Sequence, residues 1–226
     1  MSGRRRIVDL SHEITPGMAT YPGLPGPAVS DFLSRDASRS RYAPGTTFQI
    51  ARVDMVGNTG TYVDAPFHRF EDGADVGSLP LERLADVEGL VVNASNRSGR
   101  GIGPNAFSGG ALEGRAVLVR TDWSRNWGTP AYFDGHPFLT GEAARALAAA
   151  KPALVGIDSL NIDDTSGGER PAHTALLAAG IPILEHLCRL DALPASGFRL
   201  HACPAPFRNV GSFPVRAYAV VADGAR

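Results

Sequence analysis

The sequence predicts one α/β or α+β domain in which many short strands form packed sheets and a few helices flank them. Three observations point there. Runs of β-type residues recur along the whole 226-residue chain, helical patterning is confined to two stretches, and no repeat of solenoid period divides the sequence. The length suits a single domain over 1–226, with 1–6 read as a solvated tail.

From the N-terminus, strands are expected at Ile7–Leu10, Thr47–Val53, Leu90–Asn93, Ala116–Arg120, Leu154–Ile157, Ile181–Leu184 and Arg216–Val221. Each is apolar and bounded by turn formers. A helix is expected over Thr140–Ala150, because Thr140 can accept an N-terminal amide and the alanines that follow favour helix. A second is expected over His173–Ala179. The Gly-rich stretch Ser95–Gly114 reads as a surface excursion rather than a domain boundary, since a strand follows at once.

Composition excludes several classes. Hydrophobic residues make up 43% and charged residues 20%, which fits a globular protein and argues against disorder or a fibrous design. The net charge of −1 argues against a nucleic-acid binder built on a basic surface, and the Arg4-Arg5-Arg6 cluster is short and terminal. No apolar run is long enough for a bilayer, and no signal-peptide core follows the arginines, so a cytoplasmic protein without a membrane partner is expected. Cys188 and Cys203 lack CxxC spacing, so no disulfide framework or thiolate metal site is expected, and both are read as reduced and buried.

The segment from Asn58 to His68 (Asn-Thr-Gly-Thr-Tyr-Val-Asp-Ala-Pro-Phe-His) carries the most chemistry. Pro66 disfavours helix at Ala65, and Gly57 and Gly60 permit tight turns, so this is a strand end or loop. In extended backbone Tyr62 and Asp64 share a face. Asp64 and His68 then offer an oxygen ligand and a nitrogen base a few residues apart, suited to a divalent metal or to acid–base work. The plainer alternative is an aspartate satisfying turn amides and a histidine packed against Phe67 and Phe70. A second cluster holds Asp158 and Asp163 near a strand end, then His173, then Glu185. A helix starting at His173 and returning through Gly180 brings His173 and Glu185 to one rim. Such an N/O set suits Zn²⁺ or Mn²⁺.

These residues resemble the cyclase family of metal-dependent hydrolases, which includes bacterial kynurenine formamidases and isatin hydrolases. The family signature is approximately H-x-G-T-H-x-D-A-P-x-H, matched here at Gly60, Thr61, Asp64, Ala65, Pro66 and His68. The likeness extends through Asp9-Leu10-Ser11-His12, Tyr21-Pro22-Gly23, Thr121-Asp122-Trp123, Gly156-Ile157-Asp158-Ser159, His173 to Glu185, and Pro214-Val215-Arg216-Ala217. It implies a swivelling β/β/α fold, assembly as a homo-dimer or homo-tetramer, and aromatic residues lent to the site by neighbouring chains. It further implies Asp64, His173 and Glu185 as metal ligands and His68 as the general acid–base residue.

Asn58 and Tyr62 stand where the family has two liganding histidines. Asn offers a neutral carbonyl oxygen, and a phenol must ionise near pH 10 before it binds zinc well. The expectation is one divalent ion on Asp64, His173 and Glu185, or a metal-free site in which Asn58 and Tyr62 donate to an oxyanion. The substrate is expected to be a carbonyl-containing, aromatic small molecule, hydrolysed or cyclised, with Trp123 and Phe67 as an apolar wall; polyketide-like specialised metabolism fits such an altered site, and typical formamidase activity does not. The alternative from another class is a non-catalytic ligand-binding or structural relative. A serine hydrolase finds no G-x-S-x-G elbow.

Overall fold

The computed structural model describes residues 5–222. Thirteen strands run in chain order: β1 (Arg5–Asp9), β2 (Ala28–Leu33), β3 (Ile50–Asp54), β4 (Tyr62–Asp64), β5 (Val87–Asn93), β6 (Gly101–Ile102), β7 (Ala116–Arg120), β8 (Phe138–Leu139), β9 (Leu154–Ile157), β10 (Ile183–Glu185), β11 (Ser196–His201), β12 (Ser212–Pro214) and β13 (Tyr218–Ala222). The α-helices are α1 (Arg35–Ser38), α2 (Gly141–Ala150) and α3 (Pro171–Ala178). Nine strands form one sheet in the order β1-β13-β11-β5-β7-β9-β10-β4-β12. Its centre, β5 to β10, is parallel, and both flanks are antiparallel.

Parallel strands covered on both faces read as continuous apolar runs, and β7 and β9 do so. Along β7, Ala116 and Leu118 enter one core while Val117 and Val119 enter the other. The second core lies under α2 and α3 through Ala143, Ala144, Leu147, Ala172, Leu176 and Leu177. Thr140 caps α2 as its sequence predicts, accepting from the Ala143 amide. After α3 the chain reverses at Gly180, whose φ of +69° is left-handed and favours glycine, and enters β10.

The structure departs from the sequence reading in several places. Arg5 and Arg6 belong to β1 and pair with Ala222 and Val221, so the tail reading fails for them; residues 1–4 lie outside the described residues. The stretch 95–114 is not merely a surface excursion, because Ile102, Phe107 and Leu112 are buried in the second core. Cys188 is buried as expected, but Cys203 is exposed. The hairpin of β2 and β3 forms its own two-stranded sheet and leaves Val29, Phe32, Ile50 and Val53 exposed. Among the described residues no helix is long and apolar enough to cross a membrane.

Candidate active site

The site grows from the register of three short strands. In β4, Asp64 is paired with Ile183 of β10 and Ser212 of β12, and Tyr62 with Glu185 and Pro214. Directly opposed residues share a face, so Ser212 meets Asp64 and Tyr62 meets Glu185. The Tyr62 hydroxyl donates to Glu185 Oε2 at 2.5 Å, and Ser212 Oγ donates to Asp64 Oδ1. Tyr62 and Asp64 share one face as the alternation predicts.

Helix α3 brings His173. Pro171 opens the helix, and no side chain at its own cap position bonds the first turn. Asp163 fills that role from the loop after β9: its carboxylate accepts from the Ala172 and His173 amides at 2.6 and 2.9 Å and from His173 Nδ1 at 2.7 Å. A carboxylate on Nδ1 leaves Nε2 facing inward, and Nε2 lies 3.6 Å from Asp64 Oδ2 and 3.8 Å from Glu185 Oε1. Asp64 Oδ2 is buried with no hydrogen-bond partner.

His68 closes the group from the short 3₁₀ turn Pro66–His68. Its Nδ1 is 2.9 Å from Ser212 Oγ. Because the serine proton goes to Asp64, Nδ1 is the donor to Oγ, and Nε2 is left with a free lone pair, 3.9 Å from Asp64 Oδ1. Gly211 makes this approach possible, since a Cβ there would lie 2.6 Å from His68 Cα.

Charge is concentrated here. Burial alone would push the Asp64 carboxyl up, but the nearby His173 and His68 imidazoles and the Ser212 hydroxyl hold it below its ordinary value. Burial would depress His173, yet Asp163, Asp64 and Glu185 lift it to about 10. Burial pushes Glu185 up to about 7, with the Asp64 charge adding to the rise. Burial also pushes Tyr62 well above its ordinary value, helped by the charges of Glu185 and Asp64.

That donor set fits a divalent cation. Asp64, His68 and His173 offer ligand atoms that all lie within 4.8 Å of one another, and the orphaned Asp64 Oδ2 lacks a partner that an ion would supply. The compact trio has His68 where the sequence reading had Glu185. Glu185 stays beside it, but Oε1 accepts from the Ile162 amide at 2.6 Å, and Oε2 accepts from Tyr62 and, at 3.4 Å, from Asn161. The Tyr62 hydroxyl, expected as an oxyanion donor, gives its single proton to Glu185 in this structure.

A cavity of about 290 Å³ opens over this group, lined by Tyr21, Leu24, Asn58, Tyr62, His68, Arg69, Asn161, Arg170, His173 and Glu185. Asn58 lies on its wall. Phe67 and Trp123, expected as the apolar wall, are not among the lining residues; the Trp123 indole N–H donates to the Tyr132 carbonyl at 3.0 Å. Tyr21 and Leu24 take that place. Sequence reasoning also missed Ser212, Arg69, Arg170 and the supporting role of Asp163. For Asp163 a signal existed, since it precedes an uncapped helix that begins Pro171-Ala172-His173.

Two buried carboxylates on strands β4 and β10, a buried imidazole on α3 and an exposed one on a 3₁₀ turn, gathered at a cavity, form the donor pattern of a metal-dependent hydrolase. The chain belongs to the cyclase family: the family profile described as putative cyclase matches residues 8–164. It is 30% identical over 211 residues to a kynurenine formamidase of Bacillus cytotoxicus, covering 93% of this chain and 95% of that protein. It is 27% identical to the kynurenine formamidase of Maricaulis maris, covering 94% and 96%. Among solved structures, isatin hydrolase A from Labrenzia aggregata bound to benzyl benzoate superposes with a TM-score of 0.83 at 26% identity, covering 97% of this chain and 94% of that one. A potential metal-dependent hydrolase with cyclase activity gives 0.78 at 27%, covering 96% and 98%. The protein is thus a cyclase-family enzyme.

Proposed function

We propose that the protein hydrolyses a carbonyl–nitrogen bond of a small aromatic substrate, of the aryl formamide or benzo-fused lactam class, at a site built for one divalent ion. The observation that carries this reading is the division of labour between the two oxygens of Asp64. Oδ2 faces His173 Nε2 with no partner of its own, whereas Oδ1 is tied through Ser212 to His68.

On the first side Asp64 and His173, with Glu185 beside them, would hold the ion, which when bound would polarise the scissile carbonyl. On the second side His68 is the proton carrier. Ser212 fixes its tautomer, so Nε2 takes a proton from the attacking water and returns it to the leaving nitrogen. The His68 side chain is 37% exposed while Asp64 and His173 are buried, which suits a group that meets both substrate and solvent. Tyr62 binds Glu185 and offers no imidazole to a second ion, which supports the single-ion reading. Tyr21 and Leu24 provide the apolar wall for a ring.

The compactness of Asp64, His68 and His173 favours a second reading, in which His68 is itself the third ligand. His68→Ala separates the two: metal content is retained if His68 carries protons and lost if it is a ligand. The functional claim is tested by incubating zinc-loaded or manganese-loaded protein with formanilide and with isatin and following loss of substrate absorbance. Turnover of either, dependent on the ion, supports it; inertness toward both contradicts it.

A further inference from the structure

Two arginines share the cavity with Glu185, and neither is paired with a carboxylate. Arg69 follows His68, and Arg170 precedes the first residue of α3; both line the 290 Å³ cavity. Among the described residues neither lies within 4 Å of a carboxylate, whereas Arg100, Arg115, Arg120, Arg125, Arg199 and Arg216 each do.

Arg170 is held in place before any ligand arrives. Its Nη1 donates to the carbonyls of Asp164, Gly167 and Glu169 at 3.2, 2.8 and 2.7 Å. Nε and Nη2 have no acceptor among the described residues. Arg69 makes one long contact, Nε to Thr174 Oγ1 at 3.4 Å, and its guanidinium stands 5.3 Å from the centre of the Phe70 ring. Arg170, half-buried and already fixed, loses little entropy on receiving an anion, whereas Arg69 is exposed and freer to adjust to it.

The cavity is therefore polarised, with Glu185 in its lining, buried Asp64 behind His173, and two free cations on its wall. A ligand entering with its carboxylate toward Glu185 meets repulsion, while one entering with the carboxylate toward the arginines presents its other end to His68 and His173. We infer that the natural substrate carries a carboxylate that Arg69 and Arg170 receive, making these two residues the determinants of substrate charge and orientation. The neighbouring cavity lined by Arg145, Glu169 and Thr174 also touches Arg69 and Arg170, so the mouth has room for a substituent that extends beyond the ring. This inference rests on the hydrolase reading for the reacting end of the substrate, but its binding half stands apart from catalysis.

The test compares 2-, 3- and 4-formamidobenzoate with formanilide as substrates, and benzoate with benzamide as calorimetric ligands. For the wild type, kcat/KM for at least one formamidobenzoate should exceed that for formanilide about tenfold, equivalent to about 1.4 kcal/mol, and benzoate should bind more tightly than benzamide. In Arg69→Gln, Arg170→Gln and the double variant, both preferences should fall toward unity, while Arg145→Gln, which lines only the second cavity, should keep them. Arg69→Gln alone suffices if loss of the Arg170 carbonyl contacts unfolds the loop. Equal handling of charged and neutral probes by the wild type, or a preference that survives in the double variant or falls equally in Arg145→Gln, overturns the inference. Arginine-dependent benzoate binding without turnover of any formamide or of isatin upholds the anion site and removes the hydrolase reading; turnover without charge preference does the reverse.

Discussion

The hydroxyl of Tyr62 donates to Glu185 Oε2 at 2.5 Å across the paired strands β4 and β10, both side chains buried. An imidazole ligand would leave this carboxylate to an ion; a phenol satisfies it with a proton. Removing the donor in Tyr62→Phe strands a buried acceptor, and the expected loss of stability is about 1–3 kcal/mol. Urea unfolding at pH 7 measures it. A loss below a few tenths would show that the bond contributes nothing net.

His68→Ala should lower kcat by about 10² to 10⁴-fold, the usual range for losing a proton-transfer group, with bound metal unchanged. Elemental analysis beside the assay gives both numbers. Retained turnover would remove His68 from proton transfer, and lost metal would make it a ligand.

Asp163→Asn keeps the shape of the cap on α3 but replaces the anion that faces His173 Nδ1. Orienting partners of this kind affect metal affinity by about 10- to 100-fold when altered, so a drop of that size is expected in a competition titration with a chelator. An unchanged affinity would mean that helix packing alone orients the imidazole.

Acid stability has a definite sign. Burial lowers His12 to about 4, and burial together with the His12 charge lowers His186 to about 3. Both unfold to imidazoles titrating near 6.5. Between those limits the unfolded chain binds more protons, so the contribution of these groups is whole above pH 6.5 and is lost as the pH falls toward 4 and then 3. Buried Asp158, raised by burial to about 6, acts in the opposite sense over part of this range. The comparison of wild type with His12→Gln removes that background: the variant's stability should fall less steeply with acid, by up to about 1.4 kcal/mol per pH unit. Parallel curves would mean that His12 is protonated in the folded state.

Much of the scaffold could be read from sequence because the central parallel strands are covered on both faces, which forces uninterrupted apolar runs: Ala116–Arg120 and Leu154–Ile157 emerge with the expected bounds. The strands that build the site were harder. Tyr62–Asp64 and Ser212–Pro214 are three residues each, too short for an alternation to register, and Pro214 marks the latter as an edge strand only once pairing is known. In Ser196–His201 the alternation of buried Phe198 and Leu200 was present but interrupted by Gly197 and a register shift opposite β5. Asp64, His173 and Glu185 were legible through their chemistry and motif. Ser212 was not, because what recruits it is cross-strand register with Asp64, a relation between positions far apart in the chain. Trp123 and Phe67 are aromatic residues close to motif positions in sequence, but that proximity does not place them in the cavity wall.

The presence of a phenol and not an imidazole at residue 62 bears directly on how many ions the protein holds. The deciding measurement is the divalent metal content of purified protein after zinc loading and removal of excess, compared with the Asn58→His/Tyr62→His double variant. About one equivalent in the wild type, rising toward two in the variant, is expected. Two equivalents in the wild type would contradict the single-ion site, and so would none at all.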